Sequence, residues 1–148
     1  MRATWLGLLA SILVLGSYST MNDAASASSL TEHTGMWMTV GEQRFAITLS
    51  DNSAARALVA LLPLTLDMND LNRNEKYATL PRALPTQASK PGTIHNGDLM
   101  LYGPDTLVVF YTNFNSTYAY TRLGQVDDTA KLAQTLGRRG VQVTFSKN

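Results

Sequence analysis

The sequence predicts a small, mainly β domain, and three stretches carry the prediction. Between Gly97 and Gly124 lie three strand-like segments, 99–102, 106–111 and 117–123. The first two are apolar, β-branched or aromatic, and Gly103-Pro104-Asp105 between them favours a tight turn and stops a helix. Residues 36–40 and 43–49 flank Gly41-Glu42, and Phe45, Ile47 and Leu49 alternate with Ala46 and Thr48 as in a hairpin with one face in a core. Near the C-terminus Val141, Val143 and Phe145 repeat every second residue, the period of a strand.

Taken in order, the chain opens with Met1-Arg2, an apolar run over 5–16 of secretory-signal length, and Ala25-Ser26-Ala27, a small-x-small pattern that places cleavage after Ala27. The run falls short of the about 20 apolar residues that a membrane span needs, so export with cleavage is favoured over an anchor. Residues 1–27 are therefore expected to be a signal peptide, 28–35 a small polar linker and 36–148 a single domain, periplasmic or extracellular once released. The membrane enters only through the signal peptide during export.

After the hairpin, a cap within 50–53 and a stop at Pro63 bracket a helix on which Ala54, Ala57, Leu58 and Leu61 form one stripe while Arg56 faces water. Nothing reactive lies on it, which makes it a packing helix. Residues 64–68 follow as a short strand with Leu64, Leu66 and Met68 inward. From 69 to 96 no period is sustained and Pro81, Pro85 and Pro91 break the chain, so an irregular segment is expected. Leu71, Tyr77, Leu80, Leu84 and Ile94 would pin it to the sheet, making it the expected wall of any cleft. Beyond the central strands, Asp127 or Asp128 is expected to cap a second helix. Its buried stripe is Leu132, Ala133 and Leu136, and Gly137 supplies a left-handed cap.

Composition excludes more than it selects. A chain of 148 residues with 45% hydrophobic and 16% charged residues is suited to one core. A formal net charge of +1 provides neither a basic field for nucleic acid nor an acidic surface for a cationic macromolecule. The absence of cysteine excludes disulfides, thiolate nucleophiles and Cys-ligated metals. His33 and His95 are the only imidazoles and have no ligand spacing around them, so no metal site and no cofactor is expected. No G-x-S-x-G or glycine-rich phosphate loop is present.

Three segments, NEKYATLPRALP (74–85), GTIHNGDLMLYGPDTLVVFYTNFNSTYAYTRLG (92–124) and the closing DD…LAQTLG…VTF, occur in an order that resembles the bacterial cyclophilin-like domain family over about residues 36–146. The resemblance implies a cyclophilin-like closed β-barrel with two capping α-helices, one over each open end. It transfers no activity, because the family has no established biochemical function. The motifs of true prolyl isomerases, an F-H-R-type strand and a Q-G-G-D segment beside an apolar proline pocket, are absent, and Asn96 precedes Gly97-Asp98. Shared fold is not shared function.

Candidate ligand-binding residues fall into two groups. If 117–123 is one strand, Tyr118, Tyr120 and Arg122 share a face, where rings stack on a planar ligand and the guanidinium binds an anion. The same pattern serves a plain outer barrel face whose tyrosines wet their hydroxyls. Phe110, Tyr111 and Phe114 extend this patch. The second group is Glu75, Tyr77 and Arg82 in the irregular segment, with Glu75 paired to Arg122 or Arg82 as a charged floor or simply solvated. The function expected is binding of a small molecule or extended peptide in a barrel-side cleft, with no nucleic acid involved. The alternative is a weak prolyl isomerase in which Arg122 or Arg82 polarises the amide. Isomerisation needs a placed donor and desolvation against a barrier of about 18–20 kcal/mol, but no nucleophile.

Overall fold

The computed structural model describes residues 35–148; the expected signal peptide and all of the expected linker except Gly35 lie outside the described residues. β1 (Gly35–Val40) and β2 (Gln43–Leu49) form the expected hairpin, with Met36, Met38 and Val40 inward beside Phe45, Ile47 and Leu49. α1 (Ser53–Ala60) is capped by Asn52, whose side chain accepts the Ala55 amide at 2.8 Å. Its buried residues are Ala54, Ala55 and Leu58, so the stripe is turned toward Ala55 rather than Ala57, and Leu61 is already the cap.

The remaining elements are β3 (Leu64–Leu71), β4 (Glu75–Thr79), β5 (Gly92–Ile94), β6 (Asp98–Tyr102), β7 (Thr106–Phe110), β8 (Phe114–Ser116), β9 (Thr121–Val126), α2 (Leu132–Leu136) and β10 (Val141–Lys147). Eight strands close an antiparallel barrel in the order β1-β10-β3-β4-β7-β6-β9-β2, and β5 with β8 forms a separate two-stranded ribbon. Because β2 and β9 are antiparallel, α1 after β2 and α2 after β9 lie at opposite barrel ends. Ala54, Ala55 and Leu58 of α1 and Leu132 and Leu136 of α2 join the interior apolar cluster with Phe145, Val143, Leu99, Leu101, Leu107 and Val109.

The seam between β2 and β9 depends on Gly124. A Cβ there would lie 2.5 Å from the Thr48 carbonyl oxygen and 3.2 Å from Leu49 Cα, both backbone atoms that cannot swing aside. A bare α-carbon therefore lets β2 and β9 approach closely enough to pair.

Two sequence expectations are corrected. Residues 69–96 are not uniformly irregular: β3 runs on to Leu71 and β4 is a full barrel strand. Its inward residues are Lys76 and Ala78, so the strand never shows an apolar alternation. The β3–β4 turn uses Asn72 and Arg73, both at φ 55°, in place of the Asn-Gly pair that marks such turns. Leu80, Leu84 and Ile94 do bury as anchors, Leu80 and Leu84 in the interior cluster and Ile94 in a second one. Residues 117–123 are likewise not one strand. The chain leaves β8 at Ser116, touches Ser89 through a single bridge at Tyr120, and starts β9 only at Thr121.

The capping of α2 is corrected as well. Lys131 is its N-cap, with no side-chain hydrogen bond; Asp128 accepts the Ala130 amide at 3.0 Å, and Asp127 accepts the Thr48 hydroxyl. Gly137 does close the helix at positive φ (65°).

The α2 end of the barrel is plugged by a charge. Lys76 is 0% exposed, and its ammonium donates to Asp70 Oδ1 (2.7 Å) and to the carbonyls of Gly137 (2.8 Å) and Arg139 (2.7 Å), using all three protons. The Tyr111 hydroxyl donates to the same Asp70 oxygen, and the Arg73 amide donates to Oδ2 at 3.1 Å. Burial would raise the Asp70 carboxyl. Hydrogen bonds from Lys76, Tyr111 and Arg73, with the Lys76 charge, outweigh it and hold the group below its ordinary value. Burial, then the bond to Asp70, pushes the Tyr111 phenol up.

Candidate functional site

β6 and β7 are buried on both faces, as their near-continuous apolar runs require. Their outward residues Met100, Val108 and Phe110 form a second cluster with Ile94 and Tyr120, against which Tyr77 and Phe114 pack. The β5–β8 ribbon therefore lies against the outside of the barrel, and beside it opens a cleft of about 710 Å³.

The floor of the cleft is set by register. Outward residues of β4, namely Glu75, Tyr77 and Thr79, stand opposite Phe110, Val108 and Thr106 of β7, and Tyr102 of β6 stands opposite Thr106. The hairpin turn contributes Leu71, Asn72 and Asn74 at one end; Phe114, Asn115, Ser116, Thr117, Tyr118 and Tyr120 form the wall. An aromatic ladder links wall to floor. Phe114 meets Phe110 at 5.7 Å between centroids, Phe110 meets Tyr120 edge-on at 5.5 Å, Tyr120 meets Tyr102 at 5.8 Å, and Tyr102 meets Tyr118 at 6.1 Å with planes 84° apart. These are favoured ring geometries. Tyr118 remains 61% exposed at the rim.

Among the described residues, Glu75 is the single carboxyl residue on the lining, and no Lys, Arg or His joins it. Burial, helped by the negative charge of Asp70, pushes its carboxyl up from 4.5 to about 7. Burial also pushes the Tyr120 phenol up, an effect that the Ser116 side chain partly offsets and the Glu75 charge reinforces. Among the described residues, no group of three or more His, Cys, Asp or Glu is placed to hold a metal ion.

A family model described as the cyclophilin-like family matches residues 38–146, most of the chain. The chain belongs to the cyclophilin-like family. No curated protein and no solved structure matches it.

In this cyclophilin-like barrel, four of the six residues singled out from the sequence line one cleft: Glu75, Tyr77, Tyr118 and Tyr120. The two arginines do not. Arg122 stands in β9 opposite Met100, on the far side of β6 from the cleft, and lines a separate depression with Asp98 and Gly124. Its expected neighbours Tyr118 and Tyr120 precede β9, so strand alternation does not carry Arg122 with them. Arg82 is exposed beyond the other end of β4. Four residues of strand, about 13 Å, already separate Glu75 from Thr79. Beyond Thr79, Leu80 and Leu84 tie the chain to the β6–β7 turn through the carbonyls of Asp105 and Pro104. Neither arginine forms the expected ion pair with Glu75; the ion pairs of the described residues are Arg56–Asp51 and Lys76–Asp70, and His95 Nδ1 lies 3.8 Å from Asp98.

Of the aromatics expected to extend the patch, Phe114 lines the cleft, Phe110 is buried beneath it, and Tyr111 turns inward to Asp70. Tyr102, Thr106 and Val108 were not expected in the site. The signal for them was the unbroken apolar character of 99–102 and 106–110, which requires cover on the outer as well as the inner face.

Proposed function

We propose that this cyclophilin-like domain binds a small organic ligand with a largely apolar body in the cleft beside the β5–β8 ribbon. The observation that carries this is the cleft itself. Its volume of about 710 Å³ lies in the range of small-molecule sites, and its walls are aromatic with a few convergent polar groups. An extended peptide would need the same walls. The alternative of a weak prolyl isomerase draws no support from a cleft that neither Arg82 nor Arg122 lines.

The test is a fragment screen by amide NMR on the full chain and on Thr106→Trp, which sets an indole on the floor. Binding fragments are expected to shift the amides of Tyr77, Val108 and Tyr118 and to lose at least tenfold in affinity in the variant. Shifts that cluster elsewhere, or affinities unchanged by the indole, would remove this function. We also propose that the domain acts after export. N-terminal sequencing of the mature chain is expected to begin at Ser28, and a chain that retains Met1 at the N-terminus contradicts it.

A further inference from the structure

The cleft contains an acid without a base. Glu75 lies half-buried on its floor and makes no ion pair among the described residues. The nearest ammonium in sequence, Lys76, points into the barrel and has spent its three protons on Asp70 and two carbonyls. The charge that bears on Glu75 is that of Asp70, which is also negative. An ionised Glu75 therefore has no counter-charge among the described residues, in surroundings that strip part of its water.

The rest of the lining suits a cation in a second way. Tyr102 and Tyr118 stand nearly perpendicular, their planes 84° apart, and Tyr120 packs against Tyr102, so the rings make a corner rather than a flat stack. The faces of such rings carry negative quadrupole potential and attract ammonium groups, most strongly where water is excluded. An anionic ligand would meet the Glu75 carboxylate and the ring faces together. A neutral one would leave the carboxylate desolvated and unpaired.

Resting on the binding role of this cleft, we propose that its ligand is an organic cation, an ammonium carried on an apolar body. The ammonium sits at the Glu75 end of the cleft, against Tyr120, with Glu75 as its counter-charge, and the apolar body extends toward Tyr102 and Tyr118. The near-neutral net charge of the protein is no obstacle, because the recognition is local: one carboxylate and a ring corner, not a charged surface.

Phenylbutylamine, phenylbutanol and phenylbutanoate share one apolar body and differ in charge, so calorimetric titration of the full chain with each, at about pH 8 where Glu75 is ionised, tests the inference. The amine is expected to bind at least tenfold more tightly than the alcohol, and the carboxylate most weakly. Glu75→Gln is expected to remove most of the amine's advantage over the alcohol, with circular dichroism confirming that the variant folds. If amine and alcohol bind equally, and Thr106→Trp abolishes both, the cation inference is overturned and the binding role stands. If none of the three binds at millimolar concentration, both are overturned.

Discussion

Lys76→Met is expected to destabilise the fold by about 3–5 kcal/mol, the range for removing one partner of a buried ion pair. The methionine fills much of the space of the lysine stem but donates nothing. Two carbonyls, those of Gly137 and Arg139, lose their bond from Lys76 at the α2 end, and Asp70 keeps only Tyr111 and the Arg73 amide. For a domain of this size the loss corresponds to a fall in Tm of roughly 15 °C. Urea denaturation measures the free energy, and amide exchange shows where it goes: the turn from Gly137 to Gly140 should lose protection first, because Lys76 is what ties it to β4. In a double-mutant cycle with Asp70→Asn, the combined loss should fall short of the sum of the single losses, since once either charge is gone the other has less left to lose. Strict additivity, or a single-variant loss below about 1 kcal/mol, would mean that Lys76 is only a passenger in the barrel mouth.

Lys76 also explains what the sequence could and could not show. The hairpin of β1 and β2, the helix capped within 50–53, the central strands and the last strand were legible because their inward positions are apolar and periodic. The strand that builds the cleft floor was not. β4 presents Lys76 and Ala78 to the core and Glu75, Tyr77 and Thr79 to the cleft, so its polarity is reversed at the position that matters most. No pattern rule anticipates an ammonium neutralised by Asp70 two strand ends away in sequence, because the pairing exists only once β3 and β4 are in register. The positive-φ turn at Asn72 and Arg73 was hidden for a related reason: the Asp70 carboxylate, by accepting the Arg73 amide, supports a conformation that Arg73 does not advertise.

The site was half legible. Glu75 and Tyr77 were found because chemistry-bearing residues in a proline-broken segment attract notice, and Tyr118 and Tyr120 because of their spacing. Arg122 was drawn in by the assumption of one continuous strand. The break between Ser116 and Thr121 frees the tyrosines to reach the cleft while Arg122 keeps to the barrel wall. What remains in the cleft is a different electrostatic object from the charged floor that the sequence suggested, a single acid among rings.

That acid should make the protein less stable as the solution becomes alkaline. Glu75 has its carboxyl raised from 4.5 to about 7 by burial and by the charge of Asp70. A raised acid favours the fold while it stays protonated: its contribution is complete below about pH 4.5 and is lost as pH climbs through 7. Glu75→Gln removes the titration, so, with solvent screening of a half-exposed group allowed for, it should be more stable than the wild type by about 1–2 kcal/mol near pH 8.5 and no more stable near pH 4. Asp70 works in the opposite direction. Its depressed carboxyl supports the fold above its unfolded value and ceases to do so as pH falls through the folded one, which places the stability maximum of the wild type on the mildly acidic side of neutrality. Chemical denaturation of both proteins across this pH range gives the comparison directly. A difference between them that does not vary with pH would mean that Glu75 is hydrated in the fold. The two carboxyls are also coupled: Asp70→Asn removes a negative neighbour, so the Glu75 side-chain carboxyl resonance should titrate at lower pH in that variant. On top of burial, the core network at the barrel mouth would thereby shift the protonation of the cleft, and a substitution inside the barrel would become readable on its outer face.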